Sequence, residues 1–166
     1  METIQTKDSR LSSLLYLYDM QTNFYSNAIE GISDKDAHKR LDTKANHIAW
    51  LSGTLVQQRF EMFNWITEGN EQQKGHELFK DNQGIKDLTT YPTLEEYKED
   101  WNHISPKLRE ALIASDKTVF DRTVEIPGME FSLFELFGFM IYREANCIGQ
   151  IALWRRLLSY KPMKYM

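Results

Sequence analysis

The chain has 166 residues and a mass of 19.6 kDa, the size of one domain with room for a sizeable core. With 42% hydrophobic and 27% charged residues, 4 prolines and 8 glycines, it is not collagen-like, low-complexity or disordered. A formal net charge of -4 lacks the basic footprint of a nucleic-acid or lipid-surface protein, and a single cysteine, Cys147, excludes an internal disulfide.

Four helices are predicted from apolar residues recurring every three to four positions. The first runs from about Ser9, as N-cap, to Gly31, with Leu11, Leu14, Leu15, Tyr18, Tyr25, Ala28 and Ile32 on its stripe. The second is expected from about Asp42 to Thr67, on Ile48, Leu51, Leu55, Met62 and Ile66, and Gly69-Asn70 ends it. The third opens at Thr93 with a capping box closed by Glu96, and follows Leu94, Tyr97, Trp101, Ile104, Leu108 and Leu112. A second capping box, Ser132 with Glu135, opens the fourth, which continues through Leu136, Met140, Cys147, Ile151, Trp154 and Leu158 to about Tyr160.

Such stripes find burial only against one another, so an all-α, four-helix bundle is expected as one domain over residues 1–166. A long irregular connection, Glu68 to Pro92, separates helices two and three, with a helical turn expected at Gly75 to Phe79. A short extended segment is expected around Val119 to Ile126, before Pro127-Gly128 and helix four. Residues Met1 to Arg10 hold no leader pattern, and no apolar run approaches the ~18 residues of a membrane span. A cytoplasmic protein with no membrane or nucleic-acid partner is the expectation.

Chemistry is sparse. The histidines His38, His47, His76 and His103 form no HxxxH or HExxH pair, and no phosphate loop, GxSxG elbow or CxxC motif occurs. His38 and His103 read as surface residues. His47, Thr54 and Glu61 are spaced seven apart on one side of helix two; His47 reads as a hydrogen-bonded residue at the bundle edge or as a ligand needing partners elsewhere. On helix four, Arg143 lies seven after Leu136 and four before Cys147, so it is expected to project inward. A guanidinium there requires a partner, either a structural one or an anion in an inter-helix pocket. Its charge would lower the pKa of Cys147 if the thiol were not simply packed as a small apolar group. Gly149 is expected at a close approach of another helix, and Arg155-Arg156 reads as solvated charge at a helix C-terminus.

Three segments carry a resemblance: Asn46 to Leu55 (NHIAWLSGTL), Tyr91 to Glu96 (YPTLEE) with Trp101, and Arg143 to Arg156 (REANCIGQIALWRR). Together they resemble the DinB/YfiT-like superfamily of four-helix bundles. The last segment is the specific one: the superfamily pattern reads roughly H-E-x-x-H-x-G-Q-x-x-x-L-R-R, and Gly149, Gln150, Arg155 and Arg156 match it. Members typically hold zinc or nickel through three histidines, and the resemblance places Thr54, Arg143 and Cys147 at those positions. It therefore implies the fold, a pocket lined by these three residues, no metal and no cofactor, and a homodimer, to which the 13% aromatic content also points.

The functional expectation is a binding or interaction protein with a degenerate metal site, its pocket around Arg143 taking a small anionic or carboxylate ligand. Arg143 would stand in electrostatically for the metal and pair with Glu61 or with the ligand. The alternative is a thiol-dependent transferase or a metal-dependent hydrolase of the same superfamily type, using a rearranged site with Cys147, Arg143 and His47.

Overall fold

In the computed structural model, which describes residues 5–126 and 128–165, the chain is mostly helical with one small sheet. The elements are α1 (Ser12–Ile29), α2 (Asp34–Ala37), α3 (Ile48–Thr67), α4 (His76–Phe79), α5 (Leu94–Ala114), α6 (Lys117–Phe120), β1 (Thr123–Ile126), β2 (Met129–Ser132) and α7 (Leu133–Leu157), with short 3-10 turns at Ser9–Leu11 and Lys80–Asn82. The long helix α3 packs against α5 and α7, and α1 packs against α7 and α5. The third predicted stripe is wholly buried, from Leu94 to Leu112. No described helix is long and apolar enough to cross a membrane.

Helix starts are set by local chemistry. Thr93 and Glu96 cap α5 reciprocally: Glu96 N donates to Thr93 Oγ1 at 3.2 Å, and Thr93 N donates to Glu96 Oε2 at 2.9 Å. Ser132 and Glu135 do the same for α7. Gly31, at φ 71, turns the chain after α1 in the left-handed region that favours glycine.

The elements differ from expectation in several places. Asp8, not Ser9, caps the first turn, and α1 proper begins at Ser12. The second long helix starts at Ile48 rather than Asp42, because Leu41 and Asp42 adopt positive φ and His47 supplies the N-cap. The short helix α2, whose N-cap is Ser33, was not anticipated. The segment expected to be extended over Val119 to Ile126 is so only over Thr123–Ile126, half of an antiparallel hairpin in which Thr123 pairs with Ser132 and Glu125 with Glu130, because Asp116 caps the helical turn α6 that takes Val119 and Phe120.

Two glycines exchange the roles assigned from sequence. Beyond its own helix backbone, no atom of the described residues lies within 4 Å of the place a Cβ would take at Gly149, so no described helix approaches there. The close approach is at Gly53, where an added Cβ would overlap the Phe79 ring and lie 2.6 Å from Tyr97 Oη. Gly53 thereby lets α4 and the connection around it close over α3.

Arg155 is also reversed: it is buried, not solvated. Its Nη1 donates to the carbonyls of Ala28 at 3.0 Å and Glu30 at 2.6 Å, and its Nε to Lys161 O at 3.1 Å.

Candidate binding cleft around Arg143

The site grows from a polar stripe on α3. Thr54, Gln57, Gln58 and Glu61 are three, one and three residues apart, which sets them on one face over two turns. Arg143 of α7 reaches this stripe. Its Nη2 donates to Thr54 Oγ1 at 2.8 Å and its Nη1 to Gln58 Oε1 at 3.1 Å. Gln58 is itself oriented by donating from Nε2 to Met140 O at 3.1 Å. Arg143 is half-buried and forms no ion pair among the described residues.

Glu61 lies one turn beyond. Its Oε1 accepts from Gln57 Nε2 at 2.9 Å, and no ion pair forms between Glu61 and Arg143. Burial pushes its carboxyl above the usual range, opposed by the Gln57 hydrogen bond and by the charge of Arg143. Gln57 is fixed in turn: Gln73 Nε2 donates to Gln57 Oε1 at 2.9 Å and to Gly53 O at 3.0 Å, and His76 Nδ1 lies 3.2 Å from Gln57 Nε2.

A cavity of about 290 Å³, lined by Gln57, Glu61, His76, Lys80 and Asp81, opens on one side of this stripe, and two adjoining cavities, of about 150 and 260 Å³, open beside Arg143. Glu61, Asn82 and Arg143 line both. The smaller is walled by Thr54, Gln57, Trp50 and Phe79. The indole Nε1 of Trp50 is buried and has no partner among the described residues. The larger has an apolar wall of Met62, Trp65, Leu136, Phe139 and Met140, with Asp81 and Glu125 at its edge. Asp81 and Asn82 stand at φ 58 and 56, a left-handed conformation that Asp and Asn tolerate better than most residues.

Of the five candidates read from sequence, Thr54, Arg143 and Glu61 are brought together at the cavities. Cys147 is not: it is buried in the apolar cluster with Leu51, Leu55 and Ile151, and it lines neither cavity. Burial raises its thiol pKa despite the Arg143 charge one turn away. His47 is at the far end of α3, where its Nδ1 accepts from Trp50 N at 3.1 Å and its ring packs on Tyr91 and His38. Of the two residues read as surface histidines, His103 is exposed, whereas His38 is partly covered and its Nε2 is buried.

The residues the resemblance places at the metal-ligand positions do not suit a metal. Arginine offers no lone pair, threonine is a poor ligand, and Cys147 is packed away from the cavities. Among the described residues, no group of three or more His, Cys, Asp or Glu converges on a common point.

Gln57, Gln58, Asp81 and Asn82 were missed from sequence. The two glutamines were legible, since they fill the stripe between Thr54 and Glu61; the loop residues carried no periodic signal. No protein-family model and no curated protein matches the chain.

Proposed function

We propose that the chain is a DinB/YfiT-like four-helix bundle that has lost the metal centre and acts as a binding protein, taking a small carboxylate-bearing molecule in the cleft beneath Arg143. One observation carries this reading. Arg143 is held by two neutral groups, Thr54 Oγ1 and Gln58 Oε1, and by no carboxylate among the described residues, so a guanidinium with five N–H donors retains donors for a ligand beside the two cavities. A bidentate guanidinium–carboxylate pair would satisfy the charge with a fixed geometry. The order of the long helices and the meeting of Thr54 with Arg143 fit the superfamily arrangement.

The protein acts in the cytoplasm as a homodimer on this reading. The exposed Tyr16 and Leu17 of α1 and Tyr142 and Leu153 of α7 supply apolar surface for such a contact. A thiol-based enzyme draws no support from the position of Cys147.

The test is calorimetric titration with short carboxylates and with inorganic phosphate, on wild type and Arg143→Ala, alongside the metal content of protein purified without an affinity tag. Carboxylate binding lost in a folded Arg143→Ala supports the reading. A stoichiometric transition metal, or binding indifferent to Arg143, overturns it.

A further inference from the structure

Arg143 and Glu61 present opposite charges to the same two cavities without touching each other. Each is held in place by neutral side chains of α3: Thr54 and Gln58 hold the guanidinium, and Gln57 holds the carboxylate. The edge of the larger cavity adds two further carboxylates, Asp81 and Glu125, and no further cation among the described residues; His76 and Lys80 line the separate cavity on the other side of Glu61. A ligand that is only an anion would satisfy Arg143 while facing three carboxylates. A ligand that is only a cation would leave the guanidinium unanswered. The same cavity is lined by Met62, Trp65, Leu136, Phe139 and Met140, an apolar wall along about 260 Å³ of space, room for a large aliphatic or aromatic side chain.

We infer that the ligand of this cleft is a free amino acid with a large apolar side chain, its carboxylate on Arg143, its ammonium among Glu61 and the acidic edge, and its side chain against Trp65, Phe139 and Met140. The inference rests on the carboxylate-binding reading above and adds the ammonium and the apolar group to it. It also accounts for the chemistry of Glu61. A half-buried carboxylate with one hydrogen-bond donor and no ion pair among the described residues is costly, and an ammonium beside it supplies a direct cationic partner. Asn82, which lines both cavities, offers an amide to either end of such a molecule.

The experiment compares three sets of probes on the full chain by titration calorimetry at pH 7. The first is leucine, methionine and phenylalanine. The second is their deaminated acids, 4-methylpentanoate, 4-(methylthio)butanoate and 3-phenylpropanoate. The third is their decarboxylated amines, 3-methylbutylamine, 3-(methylthio)propylamine and 2-phenylethylamine. At least one amino acid is expected to bind roughly tenfold or more tightly than both of its truncated relatives, since each charged contact carries at least that factor. Glu61→Gln, which keeps the capacity to accept from Gln57, is expected to bring that amino acid down to the affinity of its deaminated acid. If the deaminated acids bind as tightly as the amino acids and the binding depends on Arg143, the ammonium subsite is wrong and the carboxylate reading stands. If no probe of any set binds, both are wrong. The comparison among probes is made on wild-type protein, so it does not depend on the folding of any variant.

Discussion

Arg59 and Glu144 form a fully buried, two-pronged ion pair, with Arg59 Nε donating to Glu144 Oε1 at 2.7 Å and Nη2 to Oε2 at 2.8 Å. The remaining guanidinium nitrogen donates to Thr22 Oγ1 and Ser105 Oγ, and the guanidinium carbon lies 3.5 Å from the Trp101 ring centre and 4.0 Å from that of Tyr18. Trp101 belongs to one apolar cluster of the core and Tyr18 to the other, so the pair joins the two. It ties α3 to α7 directly, and to α1 and α5 through Thr22 and Ser105. Removing either partner leaves an uncompensated charge in the core. Arg59→Met or Glu144→Gln alone is expected to cost ~3–5 kcal/mol in urea unfolding. Arg59→Met combined with Glu144→Gln is expected to cost less than the sum, because no orphaned charge remains. Additive losses would show the pair to be two independent residues.

Glycine substitutions on α3 and α7 are expected to move stability in opposite directions. Gly53→Ala forces the Phe79 ring and Tyr97 Oη to move and is expected to cost ~1–3 kcal/mol. Gly149→Ala adds a methyl to open space within a helix and is expected to stabilise by up to ~1 kcal/mol. Thermal unfolding of the two variants checks both signs.

The ion pair also shows what was legible in the sequence. The apolar stripe read for α3 skips from Leu55 to Met62, and Arg59 stands four after one and three before the other. The stripe of α7 skips from Met140 to Cys147, and Glu144 stands four after one and three before the other. Both gaps were visible. Pairing them needed the knowledge that the two helices face each other, which periodicity along one helix does not carry. Arg143, the neighbour whose spacing predicts an inward projection, lies at the border of the buried stripe and so reaches the cleft. Helices and capping boxes were legible because their signals are local. The hairpin partner Met129–Ser132 and the left-handed Asp81-Asn82 turn were not, because tertiary packing selects them.

His47 makes stability depend on pH. Burial, followed by the nearby charges of His38 and Arg40, lowers its pKa to about 4, from about 6.5 in the unfolded chain. The folded state therefore favours the neutral ring, and the unfolded chain binds more protons between those values. The contribution is complete above about pH 6.5 and is lost as pH falls toward 4. Protonation also removes the lone pair with which Nδ1 caps α3 at Trp50 N. Allowing for solvent screening, a loss of roughly 1–2 kcal/mol is expected across that window. His47→Asn keeps a capping oxygen, and the pH dependence of its unfolding midpoint between pH 7 and 4.5 is expected to be flatter. An unchanged profile would assign the dependence elsewhere.

Arg155 and Arg156 are adjacent but have different surroundings. Arg155→Ala withdraws donors from the carbonyls of Ala28, Glu30 and Lys161, and is expected to cost ~1–3 kcal/mol. Arg156 is exposed, and Arg156→Ala is expected to change stability by less than about 0.5 kcal/mol. Because Arg155 is a bridge from the end of α1 to the chain beyond α7, its loss is also expected to speed hydrogen exchange in residues 158–165. Exchange confined to its wild-type rate there would show that the other tethers, Tyr160 Oη donating to Asp36 Oδ2 at 2.5 Å and Asn27 Nδ2 donating to Lys164 O at 3.0 Å, hold that segment without Arg155.

Cys147 separates a binding protein from a thiol enzyme. A nucleophilic cysteine needs an accessible sulfur and a thiolate favoured by its surroundings. Here desolvation raises the pKa, the Arg143 charge opposes it only in part, and Glu144 reinforces the rise. The sulfur is packed against apolar side chains of α3 and α7, where its role is that of a small hydrophobe. Native protein at pH 7.5 is therefore expected to react with an aromatic disulfide reagent far more slowly than the same chain in denaturant. The native rate is expected to rise with denaturant in step with unfolding, since opening exposes the sulfur. Cys147→Ala is expected to leave ligand binding in the Arg143 cleft unchanged, because Cys147 lines neither cavity. Fast native modification, together with loss of binding in Cys147→Ala, would place the thiol at the working site and reopen the enzyme reading.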